Sequence, residues 1–162
     1  MPTGNRPLPP VLARFYDTPP SETAPGVETW ICRGANFVVT VSKVTEGAVL
    51  TRQNPDEYVL LLPDRGIAAE VSAGGETKTI DGYSVTFIPP GDSRITITAP
   101  GRIVRLFTPR SEDLAAKCSN AAGFTDPDPR IPPLQDWPTP PDGFRIRSYT
   151  LDVPKEPGRF GK

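Results

Sequence analysis

An all-β fold of antiparallel strands, arranged as a sandwich or barrel, is what this sequence predicts, and three observations carry the prediction. Nine short runs rich in β-branched and apolar residues follow one another between Glu28 and Thr108. Turn signals separate them at near-regular intervals, and only one stretch reads as helix. Strands of this kind without intervening helices exclude βαβ units and leave a sandwich or a barrel.

The elements can be justified in chain order. Prolines number 22 in 162 residues against a usual ~5%, and seven of them fall in residues 1–25 and ten in 109–162. Between Gly26 and Thr108 there are only Pro55, Pro63, Pro89, Pro90 and Pro100, so a hydrogen-bonded ladder can run there without missing donors. The chain therefore divides into a proline-rich N-terminal arm (1–26), a β body (27–109), a short helix (110–119) and a proline-rich C-terminal arm (120–162).

Within the body the predicted strands are Glu28–Arg33, Asn36–Val44, Ala48–Gln53, Glu57–Leu62, Ile67–Ala73, Glu76–Ile80, Ser84–Ile88, Arg94–Thr98 and Arg102–Thr108. Turns are expected at Arg33-Gly34, Glu46-Gly47, Asn54-Pro55, Pro63 to Gly66, Gly74-Gly75, Asp81-Gly82, Pro89-Pro90-Gly91 and Pro100-Gly101. Gly74-Gly75, set between two alternating runs, marks a hairpin. Glu112–Ser119 reads as the helix, with Ser111 as its cap and Glu112 and Asp113 at the positive end of its dipole. In the C-terminal arm, Phe144–Leu151 alternates as one further edge strand, with Trp137 and Phe144 as aromatic anchors.

Composition narrows the function. The formal charge is −1, and the cations are scattered singly among 19 acids, so no basic stripe offers itself to a nucleic acid. Met1 to Pro10 contains no apolar signal core, and the longest apolar run, Tyr58–Leu62, is too short to cross a bilayer. A soluble, cytoplasmic protein with no membrane partner is the expectation. Cys32 and Cys118 lie far apart and outside any CxxC or Cys/His spacing, which favours two reduced thiols over a disulfide or zinc site. Asp126-Pro-Asp128-Pro-Arg130 is acidic, but its prolines prevent convergence on a metal, and it reads as solvated arm.

One segment carries a family resemblance. Gly82-Tyr-Ser-Val-Thr-Phe-Ile-Pro-Pro-Gly91-Asp-Ser-Arg94 resembles the second cupin motif, in which a Gly, a strand and a Pro-x-Gly turn precede a metal-binding His and, four positions on, an Asn. The spacing here is one residue long, with Arg94 at the His position and Thr98 at the Asn position. Upstream, Thr51-Arg-Gln53-Asn-Pro-Asp56-Glu57-Tyr58 is similar to the first cupin motif, with Glu57 at its Glu and Thr51 and Gln53 nearest its two histidines. The resemblance spans about residues 36–108 and implies an antiparallel cupin jelly-roll barrel.

The same resemblance implies a metal that the residues cannot hold. The chain contains no histidine at all, and a carboxylate with an amide does not replace three imidazoles. No metal and no other cofactor is therefore expected, and histidine-based acid-base or nucleophilic catalysis is excluded.

The cupin register would place Glu57 and Arg94 inside the barrel mouth, with Thr51, Gln53 and Thr98 completing a polar ligand site. Strand parity argues otherwise for Arg94: if Ile95 and Ile97 face the interior, Arg94 faces out unless a bulge restores the register. Tyr58 and Tyr83 are possible phenolic acids, and Asp56 reads as a turn residue.

The expected function is a metal-independent cupin module that binds a small polar or anionic molecule. A metal-free lyase or isomerase acting on a carboxylated or sugar-like substrate is the alternative, with Glu57 or a tyrosine moving the proton and Arg94 stabilising charge. A third possibility is a structural dimerisation barrel. Arg145 to Phe160 faintly repeats Arg14 to Gly26, so pairing with a second copy or a second cupin half is also expected.

Overall fold

Alternation decides which face each strand buries. In a computed structural model that describes residues 14–125, 129–136 and 138–152, eleven strands form: β1 (Glu22–Ala24), β2 (Val27–Arg33), β3 (Val38–Val44), β4 (Val49–Asn54), β5 (Tyr58–Leu62), β6 (Ala68–Ala73), β7 (Glu76–Asp81), β8 (Ser84–Ile88), β9 (Gly91–Ala99), β10 (Gly101–Phe107) and β11 (Arg147–Thr150). They build a seven-stranded sheet, ordered β1-β2-β3-β10-β5-β8-β11, and a four-stranded sheet, ordered β4-β9-β6-β7. Every pairing is antiparallel. The sheets face each other across one apolar core that includes Ile31, Val38, Leu60, Leu62, Ile67, Val71, Ile95, Ile97 and Ile103. Each such side chain contributes about 1.5–3 kcal/mol when taken fully out of water.

The expected Gly74-Gly75 hairpin joins β6 to β7, with both glycines at positive φ, the conformation that a two-residue turn between twisted strands requires. At Pro89-Pro90-Gly91 the turn is tighter than expected. Pro89 and Pro90 make it alone, and Gly91 at φ +97° already opens β9 opposite Asn54, three residues before Arg94.

Three features differ from the sequence reading. The helix α1 is a single turn, Glu112–Ala115, and Ser111 does not cap it but donates its hydroxyl to Asn54; beyond it the backbone runs on in i→i−3 turns to Cys118 before Ser119 bonds to Ile31. β1 lies in the N-terminal arm and was unforeseen, since Glu-Thr-Ala amid prolines has no readable period; Gly26, at φ +71°, turns the chain back from it into β2. Of the two expected aromatic anchors of the C-terminal arm, the one that is described does not anchor it. Phe144 is 43% exposed, and Trp137 lies outside the described residues, as do Asp126 to Asp128, Met1 to Pro10 and the end of the tail beyond Asp152. The arm is held by Ile146, which is fully buried.

Two seams remain where the sheets meet edge to edge. At one, Ile146 fills the gap beside β7 while Glu76 accepts from its backbone N–H and Lys78 donates to its carbonyl. From there β11 adds to β8 with Arg147 opposite Phe87, which covers the sheet edge with the chain's own arm. At the other seam, between β1-β2 and β4, α1 packs against β2. The chain after α1 is tied to the same strand: Ser119 N–H donates to Ile31 O, and the Asn120 amide both accepts from Arg33 N–H and donates to Arg33 O.

Candidate functional site

Four of the five residues singled out from the sequence share the outer face of the smaller sheet. Thr51 and Gln53 on β4, and Arg94 and Thr98 on β9, are all exposed, and Thr51 lies directly opposite Arg94 in the register. The β4/β9 ladder runs without a shift from Asn54↔Gly91 to Val49↔Thr96, so no bulge at the proline turn rotates Arg94 inward. Arg94 thus lies outside the barrel mouth, as the buried Ile95 and Ile97 require. The ladder irregularity opposite Ala68/Ala69 falls at Thr98.

Glu57 also fails to meet Arg94. It precedes β5 and accepts 2.6 and 2.8 Å hydrogen bonds from the Arg147 guanidinium, supplied by the C-terminal arm. Asp56, beside it, is a turn residue engaged by Thr108 and Arg110.

Shifting the β4 register by one residue brings the inward side chains into view. Arg52 and Asn54 point between the sheets, Ser93 faces them from β9, and Tyr58, Phe107 and Arg105 face them from the larger sheet. A connected polar network results. Tyr58 Oη donates to Ser93 Oγ at 2.9 Å, which in turn donates to the Arg52 carbonyl at 3.2 Å. Arg52 Nε donates to Asn54 Oδ1 at 2.7 Å, and Ser111 donates to that oxygen at 2.8 Å. Burial pushes the Tyr58 phenol above its ordinary value, so it stays protonated and acts as a donor.

Arg105 is the exception within this satisfied network. It is only 8% exposed and sits mid-sheet on β10, with Thr40 and Leu60 as its register partners. No hydrogen bond or ion pair engages its guanidinium among the described residues, and its Nε is shut off from solvent without a partner. Thr40 Oγ1, on the register-paired residue beside it, is orphaned in the same way. Leaving such groups buried and unpaired costs about 1–3 kcal/mol each, and more for a charged group.

The cation is also crowded by its own kind. The Arg105 and Arg52 guanidinium carbons lie 5.6 and 4.8 Å from the centroid of the same Phe107 ring, which Tyr58 stacks on at 4.8 Å. Burial first, with the like charge of Arg52 adding to it, pushes the Arg105 pKa down to about 10 despite the nearby Tyr58 and Glu22. At neutral pH it remains a buried, uncompensated positive charge.

Arg105 lines a cavity of about 340 Å³ that opens at the seam between β1-β2 and β4. Val27, Leu50 and Leu114 line it beside a larger polar surface that includes Arg52, Asp113 and Lys117. Two ion pairs cross its rim. Asp113 of α1 accepts from both Arg52 terminal nitrogens at 3.0 and 2.9 Å, and Lys117 pairs with Glu22. Those hydrogen bonds from Arg52 hold the Asp113 carboxyl below its ordinary value.

Thr51 is thus the one sequence-predicted residue bordering this cavity; Arg52, Arg105 and Asp113 were missed. No local pattern marked Arg105, because both parities of Gly101–Phe107 carry apolar residues. A cupin-type barrel invites a metal, but the inward donor set does not fit one. It presents two guanidiniums, which repel a cation, and among the described residues no three Cys, Asp or Glu side chains gather. Cys32 and Cys118 are free thiols whose pKa values burial raises. Among the described residues no helix is long and apolar enough to cross a membrane.

No family model matches the sequence, and no curated protein matches it. Solved structures do. An RmlC-like cupin from Shewanella frigidimarina superposes with a TM-score of 0.54 at 16% identity, over 62% of this chain and 92% of that one. A variant of salicylate 1,2-dioxygenase from Pseudoaminobacter salicylatoxidans gives a TM-score of 0.50 at 14% identity, over 60% of this chain but only 30% of its own. KdgF from Halomonas sp. gives 0.49 at 21% identity, over 57% and 88%. Identities this low speak to the fold alone.

Proposed function

Since the fold is that of the cupins, we propose that this chain is a metal-independent cupin module that binds a small anionic molecule in the cavity between β1-β2 and β4. The observation that carries the reading is Arg105, a buried cation without an ion-pair partner that lines the cavity. Such a group is expensive to maintain, and an anion that accepts from it removes the expense. Cavity size supports the reading, since 340 Å³ lies near the lower end of the ~300–1,000 Å³ typical of small-molecule sites.

Binding is favoured over proton-transfer chemistry because no displaced titratable group on the cavity is poised near neutrality. Asp113 is held below its ordinary range, Lys117 above its own, and Arg105 at about 10. Isothermal titration with sodium benzoate, run against sodium chloride at matched ionic strength, tests the reading. Saturable benzoate binding that is lost in Arg105→Gln is the expected result. Equal binding by the variant, or none by the wild type, overturns it.

A further inference from the structure

Resting on that reading, we infer that the ligand is a monocarboxylate, and that Asp113 and Glu22 set this preference by excluding dianions. Three cations line the cavity, but two of them already have partners. Arg52 spends both terminal nitrogens on Asp113 and its Nε on Asn54, and Lys117 is paired with Glu22. Only Arg105 is uncompensated, so one negative charge neutralises the site. A second would find no uncompensated cation and would face the Asp113 and Glu22 carboxylates at the rim.

The recognising atoms fit a planar carboxylate. A guanidinium edge presents parallel donors to its two oxygens, and Arg105 is on the cavity's lining. Glu22 and Asp113 therefore act as specificity-determining residues: they contribute nothing to holding the ligand and keep the neighbouring cations unavailable.

The test compares isovalerate and benzoate with their amides, and both with succinate and inorganic phosphate, by isothermal titration on wild type, Asp113→Asn and Arg105→Met. Wild type should bind the monocarboxylates at least about tenfold more tightly than the amides or the dianions. In Asp113→Asn, Arg52 is released, and succinate should gain about tenfold while isovalerate changes little. Succinate or phosphate binding wild type more tightly than isovalerate overturns the monocarboxylate assignment and leaves the anion site standing. Tight binding of the amides, or binding that survives in Arg105→Met, overturns the anion site itself. An Asp113→Asn variant with unchanged selectivity overturns the role of Asp113, and its urea midpoint reports whether it is folded.

Discussion

The two seams of this sandwich close the same kind of gap by opposite means. Beside β7 and β8, Ile146 enters the core with its backbone held by Glu76 and Lys78, and the space is filled. Beside β2 and β4, the closure consists of the Arg52–Asp113 and Lys117–Glu22 ion pairs, with Asp113 60% and Lys117 54% exposed, and a cavity remains behind them. Dispersion contacts and lost apolar surface make the first seam stable. Screened ion pairs contribute little, so the second seam holds together without being a source of stability. Under the proposed function, this closure would admit a ligand where a plug would not.

Substitutions at each seam put that contrast to measurement. Ile146→Ala should show the largest effect, a loss of about 3 kcal/mol in urea unfolding, because a fully buried isoleucine leaves a cavity when truncated. A loss below about 0.5 kcal/mol would mean that the arm is not part of the seal. Arg105→Met should move the other way, raising the stability of the ligand-free protein by about 2 kcal/mol as a buried unpaired charge becomes apolar surface. A destabilised Arg105→Met would show that the guanidinium is already satisfied.

The smallest expected effect is acid dependence at the ion-paired seam. Asp113 has a native pKa below its ordinary 3.8, so its pairing with Arg52 stabilises the fold fully above that value and is lost as pH falls through the lowered one. The difference in stability between wild type and Asp113→Asn should therefore be small at neutral pH, since the carboxylate is mostly exposed, and should shrink as pH falls below 3.8 through the lowered native value. A difference that grows on acidification would contradict the assignment.

Strand order along the chain was readable because turns announce themselves chemically: Gly74-Gly75 and Pro89-Pro90 fix dihedrals whatever surrounds them. β1 and the single-turn helix were harder to read, because their form depends on what they pack against. The site was misread for a specific reason. Aligning the proline turn with a cupin motif put Arg94 in the His position, but the parity of Ile95 and Ile97 governs where Arg94 points. In Gly101–Phe107 both parities are apolar, Ile103 and Phe107 on one and Val104 and Leu106 on the other, so periodicity could not say that Arg105 faces the core. Only the pairing of β10 with β3 and β5 decides it. Likewise Glu57 finds Arg147 ninety positions away, a contact that no local pattern encodes.

The short segment over the cavity is fastened at both ends, by Ser111 to Asn54 before α1 and by Ser119 and Asn120 to β2 after it. An element tied down in this way does not swing open as a hinged flap, a motion that takes microseconds to milliseconds. What stands between solvent and Arg105 is a pair of ion pairs whose Asp113 and Lys117 ends are exposed, and such side chains rearrange in picoseconds to nanoseconds. Under the proposed function, ligand exchange would then be limited by diffusion to the seam and by the strength of the guanidinium contact, and the site would equilibrate with the surrounding ligand concentration without delay.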